Sequence, residues 1–252
     1  MGPLALAYGI VVYVAFFASF LYLILFIGGD MTAFVGAPKS LDWGSSPLDG
    51  TPPAIVNLLL LVLFGVQHTV MARQSFKRVW TKLVGWPVER STYVLATTAL
   101  LVALYVFWIP MPGIVWSVDT QVLSVILTAL FFLGFGLVLL STFLINHFEL
   151  FGLMQVWYRF NGKPMPEPVF HTPFLYKSVR HPLYLGWVIA FWATPTMTVG
   201  HLLFAAAWTI YIFIALGYEE RDLIRLFGDK YRKYMEEVPA ILPIGRRKGG
   251  SG

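Results

Sequence analysis

The chain reads as an all-α, polytopic membrane helix bundle of five to six transmembrane helices, closing in a carboxy-terminal helical hairpin with a cytosolic cap. Three observations predict this. Hydrophobic residues fill 58% of the 252 positions, and the mean hydropathy is +0.71. Charged residues make up 12%, about half the roughly 25% a soluble domain carries, so a water-soluble fold could not cover its surface. The apolar residues also fall into runs of the roughly 20 residues needed to cross a bilayer as a helix.

Four runs have that length: 4–27, 54–71, 91–109 and 120–144. The first is not expected to be a cleaved signal peptide, because no positive residue precedes it and it is too long. After Pro182 come two shorter runs, 183–194 and 201–217, joined by the uncharged Pro195-Thr196-Met197-Thr198-Val199-Gly200. This pair reads as a helical hairpin, either two full spans or a dip that returns to the same side. The unbroken ladder of apolar segments argues for one domain over 1–248, with its cofactor half at about 145–243. The closing Gly249-Gly250-Ser251-Gly252 reads as an appended linker.

Loop charge predicts the orientation. The first loop holds Asp30, Lys39, Asp42 and Asp49. The second holds Arg73, Lys77, Arg78, Lys82 and Arg90 against Glu89, and the third only Asp119. Basic loops stay cytosolic, which places both termini, the second loop and the 145–182 segment in the cytosol. The net charge of +5 sits beside apolar runs rather than in a separate arm, so no nucleic-acid partner is expected, and no obligate protein partner is evident. With no cysteine, disulfides and thiolate chemistry of the protein's own are excluded. The five histidines are not spaced as metal ligands, and neither a dinucleotide fingerprint nor a phosphate loop is present. No metal is expected.

Ionisable residues inside or at the rim of an apolar span are costly and tend to mark sites. Three groups qualify. Gln67-His68, followed by Arg73, ends the second span. Asn146-His147-Phe148-Glu149 ends the fourth; Asn146 and Glu149 are three apart and share a helix face, with His147 turned towards Leu150 and Phe151. The third group runs from Arg180-His181-Pro182-Leu183-Tyr184-Leu185-Gly186 through Glu219-Glu220 to Phe227-Gly228-x-x-Tyr231-x-x-Tyr234 and Val238-Pro239-Ala240-Ile241-Leu242-Pro243. Pro182 suits the first turn of a helix, which puts His181 at the cap and leaves free amides favouring an anionic group. Gly186 removes a side chain where something can approach the backbone. Glu219 and Glu220 would lie close to where the hairpin began.

This third set, in order and at close spacing, resembles the isoprenylcysteine carboxyl methyltransferase and phospholipid methyltransferase superfamily of membrane enzymes. Gln67-His68-Thr-Val-Met71-Ala-Arg73, Glu89-Arg90-Ser91-Thr92-Tyr93 and Ile145-Asn146-His147-Phe148-Glu149-Leu150-Phe151-Gly152-Leu153 look like its branch of bacterial methanethiol S-methyltransferases and NnrU-like relatives. The resemblance implies S-adenosyl-L-methionine as cofactor, S-adenosyl-L-homocysteine as product, a small volatile thiol as acceptor and dimethyl sulfide as product, at the cytosolic side of a bacterial inner membrane. It assigns Arg180, His181, Pro182, Tyr184, Leu185, Gly186, Glu219, Glu220, Tyr231 and Leu242 to the cofactor pocket. The candidates for a base, or for a cation favouring the thiolate, are His147, His68 and Arg73, with Glu149 or Asn146 orienting His147. A prenylcysteine carboxylate or phospholipid amine acceptor, or an NADPH-dependent membrane reductase, are the competing readings.

Overall fold

The computed structural model describes residues 2–243; the Gly/Ser linker and the Arg246–Lys248 cluster lie outside them. Five helices are long and apolar enough to cross a membrane: α1 (Gly2–Gly28), α2 (Pro53–Ala72), α4 (Trp86–Phe107), α5 (Gln121–Ile145) and α9 (Val199–Phe227). Between α2 and α4 lies the amphipathic α3 (Gln74–Val84), and after α5 come α6 (His147–Leu150) and α7 (Leu153–Phe160). The hairpin is α8 (Pro182–Trp192) followed by α9, and α10 (Asp229–Glu237) caps it. The expected bundle is therefore present, with each span boundary displaced by a few residues at most, except that α9 runs ten residues beyond Gly217. That extension carries Glu219, Glu220 and Asp222 on the helix itself and stops at Gly228, whose φ of 59° is open to glycine.

Of the two hairpin geometries open to the sequence, the structure adopts one that reaches the far end of the bundle. With 11 residues, α8 is about 16 Å long, half of a roughly 30 Å hydrocarbon layer. The chain covers the remainder in extended form. Strand β2 (Thr196–Thr198) pairs antiparallel with β1 (Ile114–Ser117) from the α4–α5 loop, with Trp116 opposite Met197 and Ser117 opposite Thr196. The Thr198 hydroxyl then accepts the His201 amide at 3.0 Å and caps α9.

The short α8 lies directly on α5, and the two helices touch backbone to backbone. A Cβ on Gly134 would lie 2.7 Å from the Ala190 nitrogen, and one on Gly186 would lie 2.8 Å from the Gly134 carbonyl. Small residues are how helices approach when lipid removes the hydrophobic drive to associate. Polar pins do the rest. Asn57, fully buried in α2, donates to the Ile109 carbonyl at 2.7 Å and accepts the Ile109 amide at 2.9 Å, tying α2 to the end of α4. The core between these helices is aromatic, with Phe26, Trp108, Phe131 and Phe204 buried together. The ends of α2, α5 and α9, the starts of α1, α4 and α8, and helices α3, α6, α7 and α10 share one face of the bundle.

Candidate active site

At that face the start of α8 meets the end of α9. Pro182 occupies the first turn and His181 the cap, as Pro182 predicts. The returning tail locks this start in place: the Arg180 amide donates to the Pro239 carbonyl and the His181 amide to the Ala240 carbonyl, both at 2.9 Å. The side chains converge on α9. Arg180 places Nε 2.8 Å and Nη2 2.7 Å from one Glu220 oxygen, while its Nη1 donates to the Met235 carbonyl at 3.0 Å and to the Val238 carbonyl. His181 Nε2 lies 3.1 Å from the same Glu220 oxygen. Tyr184 donates to Glu219 Oε2 at 2.6 Å, and its ring stacks on His181 at 5.4 Å between centroids.

The two glutamates are therefore unequal. Glu220 is buried and engaged by Arg180 and His181, so it acts as the anchor of the cluster. Glu219 is 45% exposed at its side chain and is bonded to Tyr184. Behind them Tyr231 is buried, and its hydroxyl has no partner among the described residues. Burial, then the charges of Glu220 and Glu219, push this phenol well above its ordinary pKa, so it stays a neutral donor facing the site without an acceptor. Tyr234 donates to the Tyr176 carbonyl at 2.5 Å, which ties α10 to the segment before α8.

Other expected cofactor residues have different surroundings. Gly186 faces α5, so what approaches its backbone is the neighbouring helix. Leu185 donates its amide to the His181 carbonyl as part of the first turn. Leu242 is 58% exposed, while its neighbour Ile241 is the buried residue.

A second, aromatic group extends inward from Tyr184. His68 on α2 stacks on Phe64 at 5.6 Å and sits edge-on to Tyr211 at 6.4 Å. The Tyr93 hydroxyl lies 2.9 Å from Nδ1 and 3.0 Å from Nε2 of His68. One hydroxyl can serve one of these nitrogens at a time, which leaves the other free. Tyr211 bonds the Thr69 hydroxyl at 3.1 Å, and Tyr93 and Tyr211 both lie within electrostatic reach of Tyr184. The ring of Tyr211 lies flat on α2 because position 65 is glycine; a Cβ there would approach it to 3.2 Å. Arg73 closes the rim, 3.7 Å from the Tyr218 ring centroid and 3.7 Å from Asp222, so its charge is already matched. Tyr211 belongs to no motif, and a tyrosine on an apolar helix ordinarily reads as interfacial. Tyr93 closes a motif already noted, but only its position opposite His68 gives it a role.

The Asn146–Glu149 group departs from expectation. Helix α5 breaks at Asn146, which becomes the cap of α6: its Oδ1 accepts the Glu149 amide at 3.3 Å and its Nδ2 donates to Glu149 Oε2 at 2.7 Å. Asn146 and Glu149 thus satisfy each other and do not orient His147. That task falls to Thr142, 2.8 Å from Nδ1, and Tyr13 of α1, 2.8 Å from Nε2. With Phe143 stacked on it at 4.0 Å, His147 is a buried pin between α1 and α5. Burial holds its imidazolium form below the ordinary range.

A multi-pass bundle with a recessed Arg–His–Glu cluster at one face defines a class, the membrane-integral proteins that build a polar site at the edge of the bilayer. No family model matches the chain, and no solved structure matches it. Curated relatives do. It is 51% identical to methanethiol S-methyltransferase 1 of Bradyrhizobium diazoefficiens over 96% of this chain and 83% of that protein. It is 50% identical to methanethiol S-methyltransferase of Mycobacterium tuberculosis over 97% of this chain and 98% of that protein. Nurim of Xenopus laevis is a more distant relative, 30% identical over 74% of this chain and 69% of that protein. The chain belongs to the methanethiol S-methyltransferase family.

Proposed function

We propose that the protein transfers a methyl group from S-adenosyl-L-methionine to the sulfur of methanethiol, giving dimethyl sulfide, at the cytosolic face of a bacterial inner membrane. The observation that carries this reading is the half-identity, over nearly the whole chain, to enzymes named for that acceptor. The same names speak against a prenylcysteine, phospholipid or nicotinamide reading.

The chemistry of the cluster fits the donor. The Glu219 carboxylate is open enough to take an ammonium beside Tyr184. The unpartnered Tyr231 hydroxyl and the first amides of α8 suit a carboxylate. The stacked His181 and Tyr184 rings offer an aromatic face to a sulfonium. Arg180 and Glu220 hold these groups in place. The bound donor supplies a methyl group already activated on a positive sulfur.

What the chain adds is alignment and a destination for one proton. Well-oriented reactants can gain roughly 7–11 kcal/mol from positioning, so how Tyr184, Tyr93, Tyr211 and His68 are placed around the reacting sulfurs matters most. The attacking species is the thiolate. As the new carbon–sulfur bond forms and the sulfonium bond breaks, the thiol proton must already have left. His68, with one ring nitrogen free, is the group placed to take it. His147 has both nitrogens engaged and is better suited to holding α1 against α5. The net basic charge of this face favours an anion at the rim, although Arg73 itself is already matched by Asp222. The charge of the loops supports the orientation, with Asp30, Asp42, Asp49 and Asp119 at the opposite face.

The test is calorimetry of the purified protein with S-adenosyl-L-homocysteine, followed by headspace detection of dimethyl sulfide from methanethiol and S-adenosyl-L-methionine. Binding and product are both expected. Binding without dimethyl sulfide would remove methanethiol as acceptor, and absence of binding would remove the donor assignment.

A further inference from the structure

Helix α3 takes no part in the site, yet it is strongly amphipathic. At 100° per residue, Gln74, Lys77, Arg78, Thr81 and Lys82 fall on one side, and Phe76, Val79, Trp80, Leu83 and Val84 on the other. None of its residues is fully buried. Val79 is 63% and Leu83 73% exposed, so this part of the apolar side is not spent on the bundle, while Phe76, Trp80 and Val84 are half-buried. The helix is held at the end of the bundle by Arg73, pinned to α9, and by Gly85, whose φ of 80° turns the chain into α4. A helix of this pattern, tethered between two spans at their shared rim, lies along a bilayer surface.

The polar side forms a shallow, open depression. Gln74, Lys77, Arg78, Thr81 and Lys82, with Glu89 from α4, line an open cavity of about 440 Å³. It carries three cations against one carboxylate, and none of the three is ion-paired within 4 Å among the described residues. Three basic side chains above an inserted apolar face match one occupant, an anionic phospholipid: the phosphodiester in the depression, the acyl chains beside Val79 and Leu83.

We propose that α3 is a specific binding site for the phosphate of an anionic phospholipid headgroup. The proposal is independent of the catalytic reading.

The experiment uses the full chain in nanodiscs of phosphatidylcholine alone or with phosphatidylglycerol, with native mass spectrometry to count retained lipid and thermal unfolding as a second readout. Phosphatidylglycerol is expected to be retained and to raise the unfolding temperature. Arg78→Gln with Lys82→Gln should weaken retention by about fivefold per basic residue removed, roughly 25-fold together, while leaving unfolding in phosphatidylcholine unchanged. Leu83→Glu, which leaves the cations intact, should also weaken retention. Equal retention by wild type and the double variant would overturn the proposal. So would the same stabilisation by inorganic phosphate in phosphatidylcholine discs, since that would make the depression a soluble-anion site.

Discussion

Glu219 and Glu220 are neighbours in sequence with different tasks, and the difference is one of burial. Glu220 neutralises Arg180, whose side chain is 10% exposed; removing one partner of such a pair costs about 3–5 kcal/mol because the other is left buried and unpaired. Glu220→Ala should therefore lower the unfolding temperature markedly. Glu219→Gln should leave unfolding nearly unchanged and weaken S-adenosyl-L-homocysteine binding, read by calorimetry; an unaltered dissociation constant would sink the ammonium assignment. A second residue-scale expectation concerns His147. Its folded pKa lies below the ordinary imidazole value of about 6.5, so the unfolded chain binds the extra proton first. The stability this contributes is complete above about pH 6.5 and declines as pH falls towards the lower folded value. A wild-type unfolding temperature that drops between pH 7 and 5, and a flatter profile in His147→Gln, would bear this out. Identical profiles would refute it. His147 also illustrates what was legible: its presence at the rim stands out in the sequence, but its partner Tyr13 is 134 positions away, and a single apolar helix gives no sign of which of its residues it turns inward.

At the scale of elements, the position of the Arg180–His181–Glu220 cluster depends on how closely α8 lies on α5. The start of α8 cannot shift independently of Gly134 and Gly186, because each would place a Cβ under 3 Å from backbone of the other helix. Gly186→Ala should cost about 1–3 kcal/mol through overpacking and displace His181 and Tyr184 with it. The expected result is a lower unfolding temperature together with weaker cofactor binding. Weaker binding alone, at unchanged stability, would instead mean that the ligand itself touches Gly186. The existence of the hairpin was readable from Pro182 and the two short apolar runs. Its geometry was not, because an 11-residue helix completed by an extended strand looks like a short span until β1 supplies the partner for β2.

Across the whole molecule, the two faces differ in charge, and this asymmetry sets the expected orientation. The chain has no cysteine, so single introduced thiols report sidedness cleanly. Ser45→Cys, on the exposed far-face loop, should react with an impermeant maleimide on intact cells. Ser75→Cys, exposed on α3, should react only after permeabilisation. The reverse pattern would invert the assignment and place the Arg180–His181–Glu220 cluster away from the cytosol.

The sequence by itself determined the solvent of this protein, its approximate spans and the place where the hairpin starts. These are one-dimensional properties: hydropathy and a proline at a helix start each act through their immediate neighbours. Tertiary structure alone decided that Glu220 anchors while Glu219 stays open, that Gly186 serves α5, that Asn146 caps a new helix, and that Tyr93 and Tyr211 pack around His68. The reason is that a helix in lipid is apolar all round. Its rotation, and so the direction of every polar side chain on it, is set by close contact with other helices, which no local pattern records.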